Sequence, residues 1–237
     1  MKILALESSA AACSAALCED ERLVAQSFQN NGLTHSRTLM PMVEALLANC
    51  GEALTNVDLI AVAAGPGSFT GLRIGVSTAK GLAWPGDKPC AACSTLESMA
   101  WGLAHTGGAL CAVMDARRSQ VYNALFRGTG AGLERLCPDR AVGLEELGEE
   151  LKKSGKPQIL VGDGAHLCYT TFRAQGLDVC LAPPHLLFQS AWGVARCALE
   201  LARRGELTSA AKLAPVYHRL SQAERERLAK LNANTKE

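Results

Sequence analysis

Eleven residues, Gly65 to Gly75 (GPGSFTGLRIG), constrain this chain more than any other stretch, because they set four glycines and a proline between an apolar run and a helical pattern. Glycine allows positive φ and close backbone approach, at an entropic cost on folding. Upstream, Asp58 to Ala64 (DLIAVAA) has the composition of a short buried strand; downstream, Leu72, Val76, Ala79 and Ala83 recur at helical spacing. The predicted unit is strand, glycine turn, helix, with Gly65, Gly67, Ser68, Gly71 and Gly75 as the turn residues. Such a turn aims backbone N–H groups beyond the strand, where a helix N-terminus attracts anions. Two readings stay open: a phosphate cradle, or a tight turn that lets helix and sheet pack closely. The run has no lysine for a GxxxxGK[ST] loop and misses GxGxxG by one residue.

The chain has 237 residues, 48% of them hydrophobic, enough to bury a core in one large or two small domains. A formal net charge of +1 argues against tight unaided binding to nucleic acid, and the pairs Arg117-Arg118 and Arg203-Arg204 suit solvated faces. The opening MKILALESSAAAC imitates a secretion signal, but Glu7 breaks the apolar run after four residues, short of the roughly seven a signal core needs. No segment reaches the roughly 18 apolar residues of a membrane span. A cytoplasmic protein is expected, with its ten cysteines reduced. Cys13, Cys18, Cys50, Cys111, Cys180 and Cys197 lie in apolar runs as small hydrophobes. Cys90-Ala-Ala-Cys93 is either a metal or redox pair or part of a buried strand, and no second CxxC or paired histidine lies near it.

Along the first hundred residues the predicted order is βββαβαβα: strands at Ile3 to Leu6, Cys13 to Leu17 and Leu23 to Phe28, a helix from Thr34 to Asn49, the strand, turn and helix of the glycine run, a strand at Cys90 to Cys93 and a helix from Thr95 to His105. A similar order starts after His105-Thr-Gly-Gly108: strands at Ala109 to Asp115, Val121 to Phe126 and Leu133 to Leu136, a helix at Leu144 to Lys153, a strand at Ile159 to Val161, the turn Gly162-Asp-Gly164 and a helix to Gln175. The chain is internally duplicated, with lobes expected over 1–106 and 107–206 and a C-terminal segment, 207–237, that packs back or is partly disordered. Each half opens with a strand ending in an acid, Glu7 and Asp115. In a duplicated fold these carboxylates would meet at a common cleft as general-base or cation-binding candidates, unless both only accept turn N–H bonds.

The first helix carries a stripe of Leu39, Val43, Leu46 and Cys50 widened by Met40, Met42 and Leu47. That is more apolar surface than one core contact needs, so either its own sheet covers the helix fully or a partner does. Pro41 removes one hydrogen bond and should kink it. On the second helix Arg73, Ser77 and Lys80 recur at i, i+4 and i+7 as a polar face.

The glycine run, preceded by HSRTLMPMVEALL (His35 to Leu47) and followed by CSTLESMA (Cys93 to Ala100), resembles the TsaB (YeaZ) family of the bacterial machinery that makes threonylcarbamoyladenosine next to the tRNA anticodon. MDARRSQVY (Met114 to Tyr122), VGDGA (Val161 to Ala165) and APVYHR (Ala214 to Arg219) extend the resemblance over the whole chain. It implies an α/β, duplicated two-lobed fold of the actin, sugar-kinase and Hsp70 type (RNase H-like), each lobe a mixed sheet with flanking helices. It also implies a catalytic paralogue, the threonylcarbamoyl transferase TsaD, with a metal-binding His-x-x-x-His pair. Here that stretch is Thr95-Leu96-Glu97-Ser98-Met99, and the paralogue's ETSCDETS loop is Glu7-Ser-Ser-Ala-Ala-Ala-Cys-Ser14, with Ala11 in place of the second acid.

The resemblance therefore implies a non-catalytic scaffold, without metal or cofactor, that binds the TsaD-type transferase and the TsaE-type ATPase. It meets tRNA only through the complex and self-associates as a homodimer when alone. By position it makes Leu39, Met42, Val43, Leu46, Thr70, Arg73, Val76 and Lys80 the partner interface, on two helices that join two of the partner's. The competing expectations are a stand-alone metal- or ATP-dependent enzyme, glycopeptidase-like or a small-molecule kinase using Glu7 and Asp115, and a direct tRNA binder using Arg225, Arg227 and Lys230 in the C-terminal stretch.

Overall fold

A computed structural model describes residues 1–218. The basic C-terminal stretch lies outside the described residues. The first lobe follows the expected order: β1 (Lys2–Glu7), β2 (Cys13–Glu19), β3 (Arg22–Gln29), α1 (His35–Asn49), β4 (Leu59–Gly65), α2 (Phe69–Ala83), β5 (Cys90–Ser94) and α3 (Thr95–Trp101). Its sheet runs β3-β2-β1-β4-β5, antiparallel across β3, β2 and β1 and parallel from β1 through β5. The second lobe has β6 (Ala109–Asp115), β7 (Gln120–Gly128), β8 (Leu133–Arg135), β9 (Arg140–Gly143), α4 (Leu144–Ser154), β10 (Gln158–Val161), α5 (Ala165–Ala174), β11 (Val179–Leu181) and α6 (Ala191–Arg203). Its sheet, β11-β10-β6-β7-β8, repeats the first, with β9 also pairing β7 so that β8 and β9 share the place of β3. Two copies of one mixed-sheet unit confirm the duplication.

The lobes exchange their last helices. The buried face of α3 (Leu96, Met99, Ala100), with Leu103 just beyond it, joins the core of the second sheet, while α6 lays Ala191, Val194, Ala195 and Ala198 on the first. Small side chains on α6 let it lie close to strands β1, β2, β4 and β5. The two helices cross at Gly193, where an added Cβ would fall on the Ser98 carbonyl. The expected boundary at 206 is therefore corrected: the chain returns to the first lobe with α6. It stays there, since Thr208 pairs with Cys90 and Ala210 and Leu213 are buried beside α2.

The wide apolar stripe of α1 has its explanation in this packing. Leu39, Met42, Val43 and Leu46 are all buried among β1, β2 and α2, each contributing about 1.5 to 3 kcal/mol by burial. The helix runs through Pro41 without interruption, and Pro41 faces solvent, so the missing N–H falls on the wet side. Cys90 and Cys93 belong to different cores, Cys90 on the α1/α2 side of β5 and Cys93 on the α6 side. They point to opposite faces of a strand and cannot share a ligand. Most other cysteines are buried, but Cys180, expected in an apolar run, is exposed.

Candidate functional site

Between the lobes lies a cleft of about 500 Å³ lined by Ser9, Ala10, Ala11, Gly67 and Ser68 from the first lobe and by Met114, Asp115, Ala116, Arg117, Tyr122 and Asp163 from the second. The two halves contribute equivalent parts. The β1–β2 turn faces the β6–β7 turn, and the glycine turn after β4 faces the Gly162–Gly164 turn after β10.

The glycine run is spent on the β1–β2 turn. Ser68 N–H donates to the Ser9 carbonyl (2.6 Å), and Ser8 Oγ donates to the Gly71 carbonyl (2.9 Å). A Cβ at Gly71 would land on the Ser8 carbonyl, and at Gly67 it would lie 2.5 Å from that of Ser9. At the helix start the Gly71 N–H is capped by Ser68 Oγ (3.4 Å). Gly67, Gly71 and Gly75 are thus required by the close approach of α2 and its start to Ser8 and Ser9 of the β1–β2 turn. A nucleotide phosphate fits this cradle poorly: the Ser68 amide is engaged, Ala10 and Ala11 project methyl groups, and Asp115 and Asp163 add negative charge.

The two strand-end acids take different roles. Asp115 is exposed in the cleft and its Oδ1 accepts from Arg117 N–H (2.7 Å). Glu7 is fully buried behind the cleft floor; Oε1 accepts from Ser9 N–H (2.6 Å), whereas Oε2 has no partner among the described residues. Burial pushes its carboxyl up to about 7, and the charge of Asp163 adds to the rise. Asp163 interacts with both acids, its charge acting on Glu7 and that of Asp115 acting on it. Its own carboxyl is raised, first by burial and then by Asp115, against the hydrogen bond it accepts from the Gln189 amide (3.1 Å). Sequence reading named the turn Gly162-Asp-Gly164 but not the acid in it; its signal was the place it shares with the glycine turn of the first half. Arg117, Arg118 and Ser119 all have positive φ (64°, 56°, 56°), a left-handed turn that costs L residues about 1 to 2 kcal/mol each. Among the described residues no three His, Cys, Asp or Glu side chains converge as a metal site. Thr95, Ser98 and Met99, where the paralogue's histidine motif would fall, are buried on α3.

The interface residues separate by burial. Leu39, Met42, Val43, Leu46 and Val76 are core residues of the first lobe and offer no surface to a partner. Sequence periodicity found the apolar side of each helix but could not say what covers it. Thr70 and Arg73 are exposed and Lys80 is half-buried. The C-terminal strap, residues 207–218, runs along α2: Lys80 Nζ donates to the carbonyls of Ala211 and Leu213 (both 3.2 Å), and Arg73 Nε donates to the Tyr217 hydroxyl (3.0 Å).

With this geometry in place, comparison with known proteins is specific. The TsaD family, described as tRNA N6-adenosine threonylcarbamoyltransferase, matches residues 29–220. The tRNA threonylcarbamoyladenosine biosynthesis protein TsaB of Bacillus subtilis is 36% identical, with 94% of this chain and 96% of that protein covered. The chain belongs to the TsaB family. TsaB of Escherichia coli is 32% identical, over 92% of this chain and 95% of that protein. The YeaZ structure from Pseudomonas aeruginosa superposes with a TM-score of 0.78 at 28% identity, covering 91% of this chain and 99% of that one. A dehydratase activator from Clostridium difficile, solved with bound ADPNP, shares the fold alone at 12% identity (TM-score 0.51). The chain thus shares with that activator a fold of two mixed-sheet lobes, here with the cleft just described between them. No described helix is long and apolar enough to cross a membrane.

Proposed function

We propose that this chain is a non-catalytic subunit of the machinery that places threonylcarbamoyl on the tRNA adenosine next to the anticodon. In this reading it acts by binding a TsaD-type transferase and, with it, a TsaE-type ATPase. One observation carries the proposal: the glycine turn and the β1–β2 turn, where a phosphate would be held in a working cleft, are instead locked to each other through Ser68–Ser9 and Ser8–Gly71. The buried Thr95, Ser98 and Met99 of α3 support it, since none is a metal-binding histidine. So do the family's relatives, whose names place them in threonylcarbamoyladenosine biosynthesis. The contact surface is the outward side of α2 around Thr70, Arg73 and Lys80, not the buried stripe of α1.

Light scattering after size exclusion tests this with the chain alone and mixed with its cognate transferase. A 1:1 complex, and tRNA threonylcarbamoylation that stops when the chain is omitted, is the expected result. Modification at full rate by the transferase without it would overturn the reading. Calorimetric binding of ATP or a divalent cation by the isolated chain would favour a stand-alone enzyme instead.

A further inference from the structure

The cleft between the lobes holds acids that the subunit reading leaves without a task. Asp115 is exposed there and Asp163 lines the same space, the charge of the first raising the carboxyl of the second. Like charges so placed favour a bound cation. Ser9, from the other lobe, lines the cleft while fully buried, and its Oγ makes no hydrogen bond among the described residues. Next to this lining, Glu7 accepts from Ser9 N–H (2.6 Å) and Gln189 donates to Asp163 (3.1 Å), yet Glu7 Oε2 and Gln189 Oε1 are also buried without a partner. A buried polar group left unpaired has lost its hydrogen bonds to water, and a ligand in the cleft would meet that loss at Ser9.

The lining oxygens of Asp115, Asp163 and Ser9 suit a cation that donates hydrogen bonds. No three His, Cys, Asp or Glu side chains converge among the described residues, so these groups do not form a chelate for a divalent ion. Ala10, Ala11, Met114 and Ala116 add carbon and a thioether, which are no ligands for a bare alkali ion, and Tyr122 adds a ring. A cation that carries methylenes uses both kinds of surface: its carbon packs on the methyl groups, and its charge is drawn to carboxylates and to an aromatic face. We propose that the inter-lobe cleft binds a small organic molecule through a primary ammonium group, held by Asp115, Asp163 and the Ser9 hydroxyl. A diamine and an amino acid both present that group. Arg117, exposed at the same cleft and without an ion-pair partner among the described residues, is placed to take the carboxylate of the second. The site is separate from the surface of α2 and does not depend on the subunit reading.

The test is calorimetric titration of the full chain with putrescine and with L-lysine at low ionic strength. Saturable binding of at least one of them, one molecule per chain, is the expected result. Butanediol, which keeps the carbon chain of putrescine and lacks its charge, should show none. Asp115→Asn and Asp163→Asn are each expected to weaken binding by about tenfold or more, because each removes a charge-assisted hydrogen bond. Glu149→Gln, at an exposed position of α4, should change it by less than about twofold. Lysine binding that falls with Arg117→Ala supports the proposal with an amino acid as ligand; putrescine binding that Arg117→Ala leaves unchanged supports it with a diamine. Circular dichroism and urea midpoints establish that each variant is folded, and the exposed Asp115→Asn stands as evidence if Asp163→Asn disturbs the fold. Absence of saturable binding by either probe at millimolar concentration overturns the proposal. So does affinity unchanged in both asparagine variants, or displacement of the bound probe by potassium or magnesium chloride as effective as that by unlabelled excess of the probe. None of these outcomes alters the expected behaviour of the chain toward the transferase.

Discussion

Gly193 and Glu7 decide more at the residue scale than their neighbours in sequence suggest. Replacing an interior helical glycine by alanine ordinarily gains about 1 kcal/mol. At Gly193 the new methyl would fall on the Ser98 carbonyl at the α3–α6 crossing, a backbone atom that cannot swing aside. Gly193→Ala is therefore expected to destabilise the protein by about 1 to 3 kcal/mol, read from urea denaturation. Glu7 gives a pH dependence with a definite sign. Its folded carboxyl is raised from 4.5 to about 7 by burial, so its contribution to stability is complete below about pH 4.5 and is lost as pH rises through about 7. Between pH 5 and pH 8 the wild type should lose about 2 to 3 kcal/mol relative to Glu7→Gln. Urea midpoints of the two proteins that run parallel across that range would show that the carboxyl is not held neutral. The glycine run was legible in the sequence because its density is abnormal, whereas Gly193 is a single glycine in an apolar helix and carries no such signal.

Elements kept their expected types and lost some of their expected neighbours. Strand β6 matches its sequence range at both ends, and α1 and α4 differ by one residue at one end, because periodicity is a local property of each segment. Strands β9 and β11, of four and three residues, are too short to show a period, and α6 was not distinguished from the rest of the second lobe. The side of α1 that was expected to meet a partner belongs to the core. Leu39→Ala is accordingly expected to cost about 2 to 5 kcal/mol in chemical denaturation, a loss of fold and not of contact. Ending the chain at Gly205 removes Leu213, which is 1% exposed, from the core beside α2. A fall of at least about 2 to 3 kcal/mol should appear in the same measurement, even with every named strand and helix retained.

For the whole molecule, the exchange of α3 and α6 ties the lobes into one unit. Each lobe's sheet is completed by a helix from the other side of the chain's midpoint, and the cleft acids Glu7, Asp115 and Asp163 are brought near one another by that arrangement. If the helices act as such a tie, Gly193→Ala should lower together the melting midpoint reported by Trp101 and Trp192, both in the first-lobe core, and that reported by the far-ultraviolet circular dichroism of the whole chain. Separate transitions for the fluorescence and the circular dichroism would show that the lobes unfold independently. The sequence by itself determined the duplication, the type and order of nearly all elements, and the family, because these follow from local periodicity and from motifs of consecutive residues. Tertiary structure alone decided that the opening glycines serve packing against Ser8 and Ser9, that the stripe of α1 is core, and that the strap residue Tyr217 lies on Phe69. Each of these depends on which surfaces, distant along the chain, come to cover one another, and burial is a property of that pairing, which no single segment encodes.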